Sequence, residues 1–202
     1  EAVAANELPK TLSVRVSKDA CNNYYVSITI SKGCNAYREV PVRTEAEPIG
    51  IDVGIKDIAI LSDGTKYENI HFRRNKLKAL KAMNRKLSRR WGPANPAFRD
   101  YNSNVRSENR KCDLENQLPL ATPSSGYLKI QNDKAKLELK IANRRNTYYH
   151  QNTAEIVNRA SLIAVETLRV KNMKRNHKLA FALDDAAMSS FISKLKYKAE
   201  WR

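Results

Sequence analysis

The stretch IGIDVGIKDIAILSDG, running from Ile49 to Gly64, constrains this chain more than any other. Two apolar runs, IGIDVGI and IAILS, are separated by Lys56-Asp57, which predicts a hairpin. A third short strand is expected after the Asp63-Gly64 turn, around Thr65 to Tyr67. Inside the first run stands a lone carboxylate, Asp52, flanked by Gly50 and Gly54. An ionised acid is expensive to bury unless it is paired or binds a metal. The small flanking residues leave room for something to approach the backbone. A second stretch, SLIAVETL, reads as another strand, and its apolar run LIAV ends on a second carboxylate, Glu166.

Around these strands the periodicity changes several times. TLSVRV at 11–16 and YYVSITI at 24–30 alternate apolar and polar, as half-buried strands do, with the turn formers SKDACNN between them. A polar connector at 31–48 carries Gly33, Pro41 and Pro48, and a domain boundary is expected near residue 46. Residues 73–90, RRNKLKALKAMNRKLSRR, hold nine Lys or Arg and no acid. Leu77, Leu80, Met83 and Leu87 recur there at helical spacing, so the segment is an amphipathic basic helix. Residues 91–126 are interrupted by Trp91-Gly92-Pro93, Asn95-Pro96, Pro119 and Pro123-Ser124-Ser125-Gly126. They read as a long loop or irregular insertion. A second long helix is expected over 127–159, with a spine of Ile130, Lys134, Leu137, Ile141, Arg144 and Tyr148 and with Ile156 and Val157 near its end, and a final helix over 185–201.

Charge narrows the function classes. Lys plus Arg outnumber Asp plus Glu by 37 to 21, giving a net charge of +16 and a pI near 9.9. Such a balance fits a polyanionic partner, either nucleic acid or an anionic membrane surface. No apolar run approaches the roughly 20 residues that span a bilayer, and no signal-peptide pattern opens the chain, so nucleic acid and an intracellular location are expected. Cys21, Cys34 and Cys112 are odd in number and widely spaced with no CxxC pair, which predicts reduced thiols and no zinc site within this chain. His71, His150 and His177 share no metal-binding spacing. Asp57 and Asp63 look like turn residues, and Asp184 with Asp185 is placed at a helix N-terminus, where the dipole favours acids. There is no GxGxxG, P-loop or GxSxG motif.

Hairpin strands, then helices, then a strand ending in an acid is the order of an RNase H-like nuclease core. A lone Asp near a strand end is as often a cap or turn former, and a lone Glu there a solvated terminus. Together, in this order and in so basic a chain, the two acids favour a metal site. Hard divalent cations take oxygen ligands, and magnesium shares phosphate oxygens with its substrate. Two metals roughly 4 Å apart activate water and stabilise the leaving oxygen in phosphodiester hydrolysis. On this reading Asp52 bridges the metals and Glu166 holds one of them.

Three segments carry the argument further. GIDVGIKDIAILSDG, VETLRVKNM and LAFALDDAAMSSFISKLKYKAEW together resemble the RuvC domain of the transposon-encoded TnpB (OrfB) family, RNA-guided DNA nucleases related to compact type V CRISPR effectors. The resemblance covers roughly residues 49–90 and 127–202, and the N-terminal hairpin resembles the later part of that family's wedge domain. It implies an α/β fold: an RNase H-like (RuvC) mixed sheet over 47–202, incomplete at its C-terminus, with a basic helical insertion at about 73–160. A small antiparallel β module at 1–46 would precede it.

The same resemblance makes Asp52 the first catalytic acid and Glu166 the second, with Mg2+ or Mn2+ as cofactor and guide RNA and target DNA as partners. Lys198 and Trp201 fall within the KAEW signature, where Trp201 is expected to pack on the sheet. Phosphate contacts are expected from Arg73, Arg74, Lys76, Lys78, Lys81, Arg85, Lys86, Arg89 and Arg90, and from Lys171, Lys174 and Arg175. Contacts of this kind position nucleic acid but read no sequence. The family's third acid and its CxxC pairs lie beyond the KAEW helix, so the 202-residue chain is expected to be inactive or nearly so as a nuclease. Two other readings stand beside this one. A nuclease-dead, RNA-guided repressor would keep the acids as relics. A generic basic RNA-binding protein would leave the spacing of the two acid-bearing strands unexplained.

Overall fold

The computed structural model describes residues 11–30 and 46–201, apart from the side chains of Leu114 and Lys171. The polar connector, Cys34 and the boundary expected near residue 46 therefore fall largely outside the described residues. The chain divides into two compact units. The described part of the first comprises 11–19, 23–30, 46–72 and 143–201, and the second comprises 20–22 and 73–142.

β1 (Thr11–Lys18) and β2 (Tyr24–Ile30) pair antiparallel, with Val14 opposite Ile28 and Val16 opposite Val26. The Asp19 carboxylate anchors the turn by accepting the backbone N–H of Asn23 at 2.9 Å and the Tyr25 hydroxyl at 3.0 Å. The expected half-burial is not observed. Every residue of both strands is exposed, Val16 at 67%. Alternation records which face suits an apolar neighbour, and a hairpin with neither face covered is marginal in water.

The acid-bearing strands lie in a second, mixed sheet. β3 (Ile49–Asp52), β4 (Asp57–Leu61) and β5 (Lys66–Glu68) form the expected antiparallel meander. Gly64 takes φ +84°, and the Asp63 carboxylate accepts the Thr65 N–H at 2.8 Å, which closes the β4–β5 turn. Asp63 is also ion-paired with Arg159. β6 is shorter than the sequence suggests, covering Ile163–Val165, and pairs parallel with β3 to give the order β5-β4-β3-β6. The architecture is mixed α/β, with a small antiparallel sheet and a mixed sheet accompanied by helices.

In the second unit a 3-10 turn at Arg74–Lys76 leads into α1 (Leu77–Arg89). Leu80 and Leu87 are buried, and all nine basic residues of 73–90 are exposed, as amphipathic spacing requires. The reading of 91–126 as irregular needs correction. α2 (Pro96–Asn109) occupies its centre, followed by a 3-10 turn at Leu114–Asn116. Asn95-Pro96 starts a helix here instead of breaking one. The Asn95 side chain accepts the Ala97 N–H at 2.9 Å, and Pro96 sits where a helix needs no N–H donor. Phe98, Asn102 and Val105 then face inward, and Asn102 accepts the Ala121 N–H at 2.8 Å. Trp91 packs edge-on against Phe98 with ring centroids 5.2 Å apart.

α3 (Ser125–Arg159) is 35 residues long, close to its expected span. The predicted spine holds at Ile141 and, near the helix end, at Ile156 and Val157; between them it shifts, with Arg144 exposed and Tyr149 and Thr153 buried instead. α4 (Val170–Met173) is a single turn. The helix expected over 185–201 starts later, as α6 (Met188–Glu200), and an unanticipated α5 (His177–Ala186) precedes it, the two divided at Ala187, which adopts φ 44° and ψ 44°. This left-handed residue ends α5 as glycine commonly does. Asp184 and Asp185 consequently lie in the last turn of α5, not at a helix N-terminus.

Strand residues Ile51, Ile58 and Leu61, with Val53 just past β3, form one core with Tyr149, Ile156 and Val157 of α3, Leu183 of α5, and Phe191 and Leu195 of α6. The Tyr149 and Phe191 rings meet edge-on at 5.4 Å, and the Tyr149 hydroxyl donates to the Ala186 carbonyl. Burial raises the Tyr149 pKa well above the ordinary phenol range. Trp201 does not pack on the sheet. It is 74% exposed and contacts the Tyr197 ring at 5.1 Å, because α6 ends at Glu200 and leaves it at the C-cap.

Candidate functional site

The register of β3 and β6 is the feature that builds a site. Ile49 pairs with Ile163, Gly50 with Ala164 and Ile51 with Val165. One residue further along each chain come Asp52 and Glu166, at the same end of neighbouring parallel strands. Adjacent strands run about 4.8 Å apart, so the two carboxylates arise side by side from backbones held by one hydrogen-bonded ladder. Ile49, Ile51 and Val53 are buried, whereas Asp52 is exposed and aligned opposite Ile60 of β4. The expectation of a carboxylate enclosed in an apolar strand is therefore corrected. Both acids open to solvent, where a hydrated cation and a polymer can reach them.

The flanking glycines act differently from what their sequence position suggests. A Cβ on Gly54 would come within 2.9 Å of the Asp57 carbonyl, so the close approach there is the chain's own turn. Gly50 donates its N–H to the Ser62 hydroxyl at 3.1 Å and accepts the Ser62 N–H at 2.9 Å, fastening β3 to the end of β4.

Two adjacent oxygen donors suit a hard divalent cation that keeps part of its water shell. Among the described residues, no group of three or more His, Cys, Asp or Glu side chains converges as a metal cluster. The donor set fits a magnesium or manganese ion held by two carboxylates and completed by water or substrate oxygens. It does not fit a closed structural site. Among the described residues, Cys112 is an exposed free thiol.

The remaining candidates separate into three groups. Arg73, Arg74, Lys76, Lys78, Lys81, Arg85, Lys86, Arg89 and Arg90 are exposed on the 3-10 turn, on α1 or beside them. Lys174 is ion-paired with Asp184, Arg175 is exposed, and the Lys171 side chain lies outside those described. Asp185, only 1% exposed, lies 3.5 Å from Nδ1 of His71. Spacing could not have linked residues so far apart in the chain.

Fold and site define a strongly basic α/β protein with paired acids at the ends of parallel strands, and similarity supplies the family. Residues 25–177 match the OrfB_IS605 family, described as "Probable transposase". This is well over half of the chain, and the chain belongs to that family, the transposon-encoded OrfB or TnpB proteins. It is 28% identical over 190 residues to a "Putative RNA-guided DNA endonuclease" of Streptomyces pristinaespiralis, covering 94% of this chain and 38% of that protein. It is 26% identical over 164 residues to the "Putative RNA-guided DNA endonuclease InsQ" of Escherichia coli K12, covering 81% of this chain and 32% of that one. The chain thus spans about a third of the length of these relatives. No helix among the described residues is long and apolar enough to cross a membrane.

Proposed function

We propose that the chain forms the central part of an RNA-guided DNA endonuclease. In this reading residues 47–202 are an RNase H-like (RuvC) core, the basic helices at about 73–160 are an insertion within it, and 1–46 belong to a wedge-like β module. Asp52 and Glu166 at the ends of paired parallel strands are the observation that carries the proposal. The separate compactness of residues 73–142 supports their being inserted.

Asp52 and Glu166 would hold Mg2+ or Mn2+. When bound, the metal supplies Lewis-acid activation of water and charge stabilisation on the leaving oxygen. The carboxylates would present their oxygens to the metal from the ends of one hydrogen-bonded ladder. Guide RNA pairing would supply sequence recognition while the protein grips duplex backbone. The exposed basic face of α1, with Lys171, Lys174 and Arg175, would hold phosphates. Lys174 would exchange its Asp184 partner to do so. A protein with these partners would be intracellular, either cytoplasmic or nucleoid-associated.

With two acids in the site, the 202-residue chain by itself binds nucleic acid and cuts it weakly or not at all. Incubation with single-stranded and duplex DNA in magnesium tests this. The expected result is salt-dependent binding with little cleavage. Robust cleavage lost in Asp52→Ala would overturn the incompleteness of the site. Absence of salt-dependent binding would overturn the nucleic-acid reading itself.

A further inference from the structure

Within the first unit, α3 and α6 bring together cations that neither helix displays by itself. Ser190, Lys194 and Lys198 recur every four residues, which places them on one face of α6. Lys198 Nζ donates to the His150 carbonyl at 2.6 Å and to the Thr153 hydroxyl at 2.8 Å. Lys194 Nζ donates to the Ser190 hydroxyl at 2.9 Å. Arg145 donates through one guanidinium nitrogen to the carbonyls of Asp184 and Asp185, both at 3.3 Å. The Tyr197 hydroxyl lies 3.3 Å from Nδ1 of His150.

Among the described residues, neither Lys194 nor Lys198 forms an ion pair with a carboxylate. Their partners are hydroxyls and a carbonyl, which solvate an ammonium but do not neutralise it. Partial burial and then the Arg145 charge hold the Lys194 pKa below the usual lysine range, and burial and then Lys194 do the same for Lys198. The His150 imidazole is pushed down by burial and by both lysines. Positive charges arranged to repel one another create a potential that an anion would relieve.

The surface beside this cluster indicates which anion. Asn143, Asn146, Thr147, His150 and Gln151 line an open groove along α3 that continues to Ala154. At 1.5 Å rise per residue that groove is roughly 16 Å long. Its amides and hydroxyls are the groups that bind phosphate and sugar oxygens. An enclosed pocket would suit a small free anion, whereas a long open groove beside a cationic patch suits a polymer.

We propose that Arg145, Lys194 and Lys198, with the amide-lined groove of α3, form a binding site for the phosphodiester backbone of nucleic acid, distinct from the basic face of α1. The proposal rests on the reading of this chain as a nucleic-acid-binding protein.

The test is fluorescence anisotropy of a labelled single-stranded RNA against the whole chain over a series of salt concentrations, with thermal melts to verify folding. Lys194→Gln is expected to weaken binding about fivefold or more and to reduce the slope of log K against log salt by about 0.7, one single-strand phosphate contact. Lys194→Arg should restore both. Lys196→Gln removes the same charge from a lysine that pairs with Glu200, and should leave the slope unchanged. Gln151→Glu, an exposed change in the groove, should weaken binding with the fold intact. Inorganic phosphate at constant ionic strength should not displace the RNA.

Equal slopes for Lys194→Gln, Lys196→Gln and the wild type would overturn the proposal. So would displacement by millimolar phosphate, which would mark a small-anion site. A wild-type chain with no salt-dependent binding would overturn the broader reading together with this one.

Discussion

Asp52 and Glu166 each follow the last paired residue of neighbouring parallel strands, Ile51 and Val165, so one ladder sets both carboxylates at the same height. The two acids lie far apart in sequence: Asp52 closes β3, and Glu166 is the first residue after β6. A site built on strands is held more closely than one built on loops. Strand β3 is in turn tied to β4 through Gly50 and Ser62 and backed by the buried Ile49, Ile51 and Val53.

The backing core predicts where stability resides. Phe191 is fully buried against the Tyr149 ring. Phe191→Ala should cost about 3–5 kcal/mol, the range for an aromatic deletion in a packed core. Urea unfolding followed by far-UV circular dichroism measures the loss.

The second unit offers a contact that sequence alone does not show. A Cβ at Gly92 would overlap the Tyr127 ring, which is itself 5% exposed. Gly92→Ala should destabilise by about 1–3 kcal/mol, as overpacking does. Combined with Tyr127→Ala, which removes the ring, the effects should be less than additive, since the residues share one space. Thermal melts of the two single variants and the double variant give the coupling.

Acid sensitivity has an identifiable contributor in Asp63. Its carboxyl pKa lies below the ordinary 3.8, first because the Thr65 backbone N–H bonds to it and then because Arg159 is near. A depressed carboxylate stabilises the folded state fully above the unfolded pKa, and that contribution is lost as pH falls through the folded value. Asp63→Asn should therefore flatten the acid limb of the stability curve and leave its slope near neutrality unchanged. Urea midpoints measured from neutral pH down to about pH 2 test the sign.

These contacts also show what the sequence could and could not convey. The meander of β3, β4 and β5, the presence of a strand at β6, the basic helix α1 and the long α3 follow from periodicity and turn residues, whereas the parallel pairing of β6 with β3 does not. α2 was hidden because Asn95-Pro96 is compatible with both a chain break and a helix start. Only the inward spacing of Phe98, Asn102 and Val105 could have separated the two. The break at Ala187 carries no Gly or Pro signal, so the final helix reads as starting at Asp185 instead of Met188, which gives Asp185 a terminal role in place of its buried position beside His71. The acids themselves were legible as residues, but their exposure was not. Whether a strand's last carboxylate faces solvent depends on where the strand stops. Lys198 is legible within KAEW, but the proximity of Arg145 to Lys194 is not, because it arises only through tertiary packing.

The central claim is that Asp52 and Glu166 act as one cation site, and isothermal titration of Mn2+ into the whole chain tests it most directly. Asp52→Asn and Glu166→Gln change exposed residues, so each variant should stay within about 0.5 kcal/mol of wild-type stability without metal. The account predicts one site in the wild type that each substitution weakens by at least about tenfold, ~1.4 kcal/mol. A folded wild-type chain that binds no Mn2+, or variants that bind it as well as the wild type, would contradict the account.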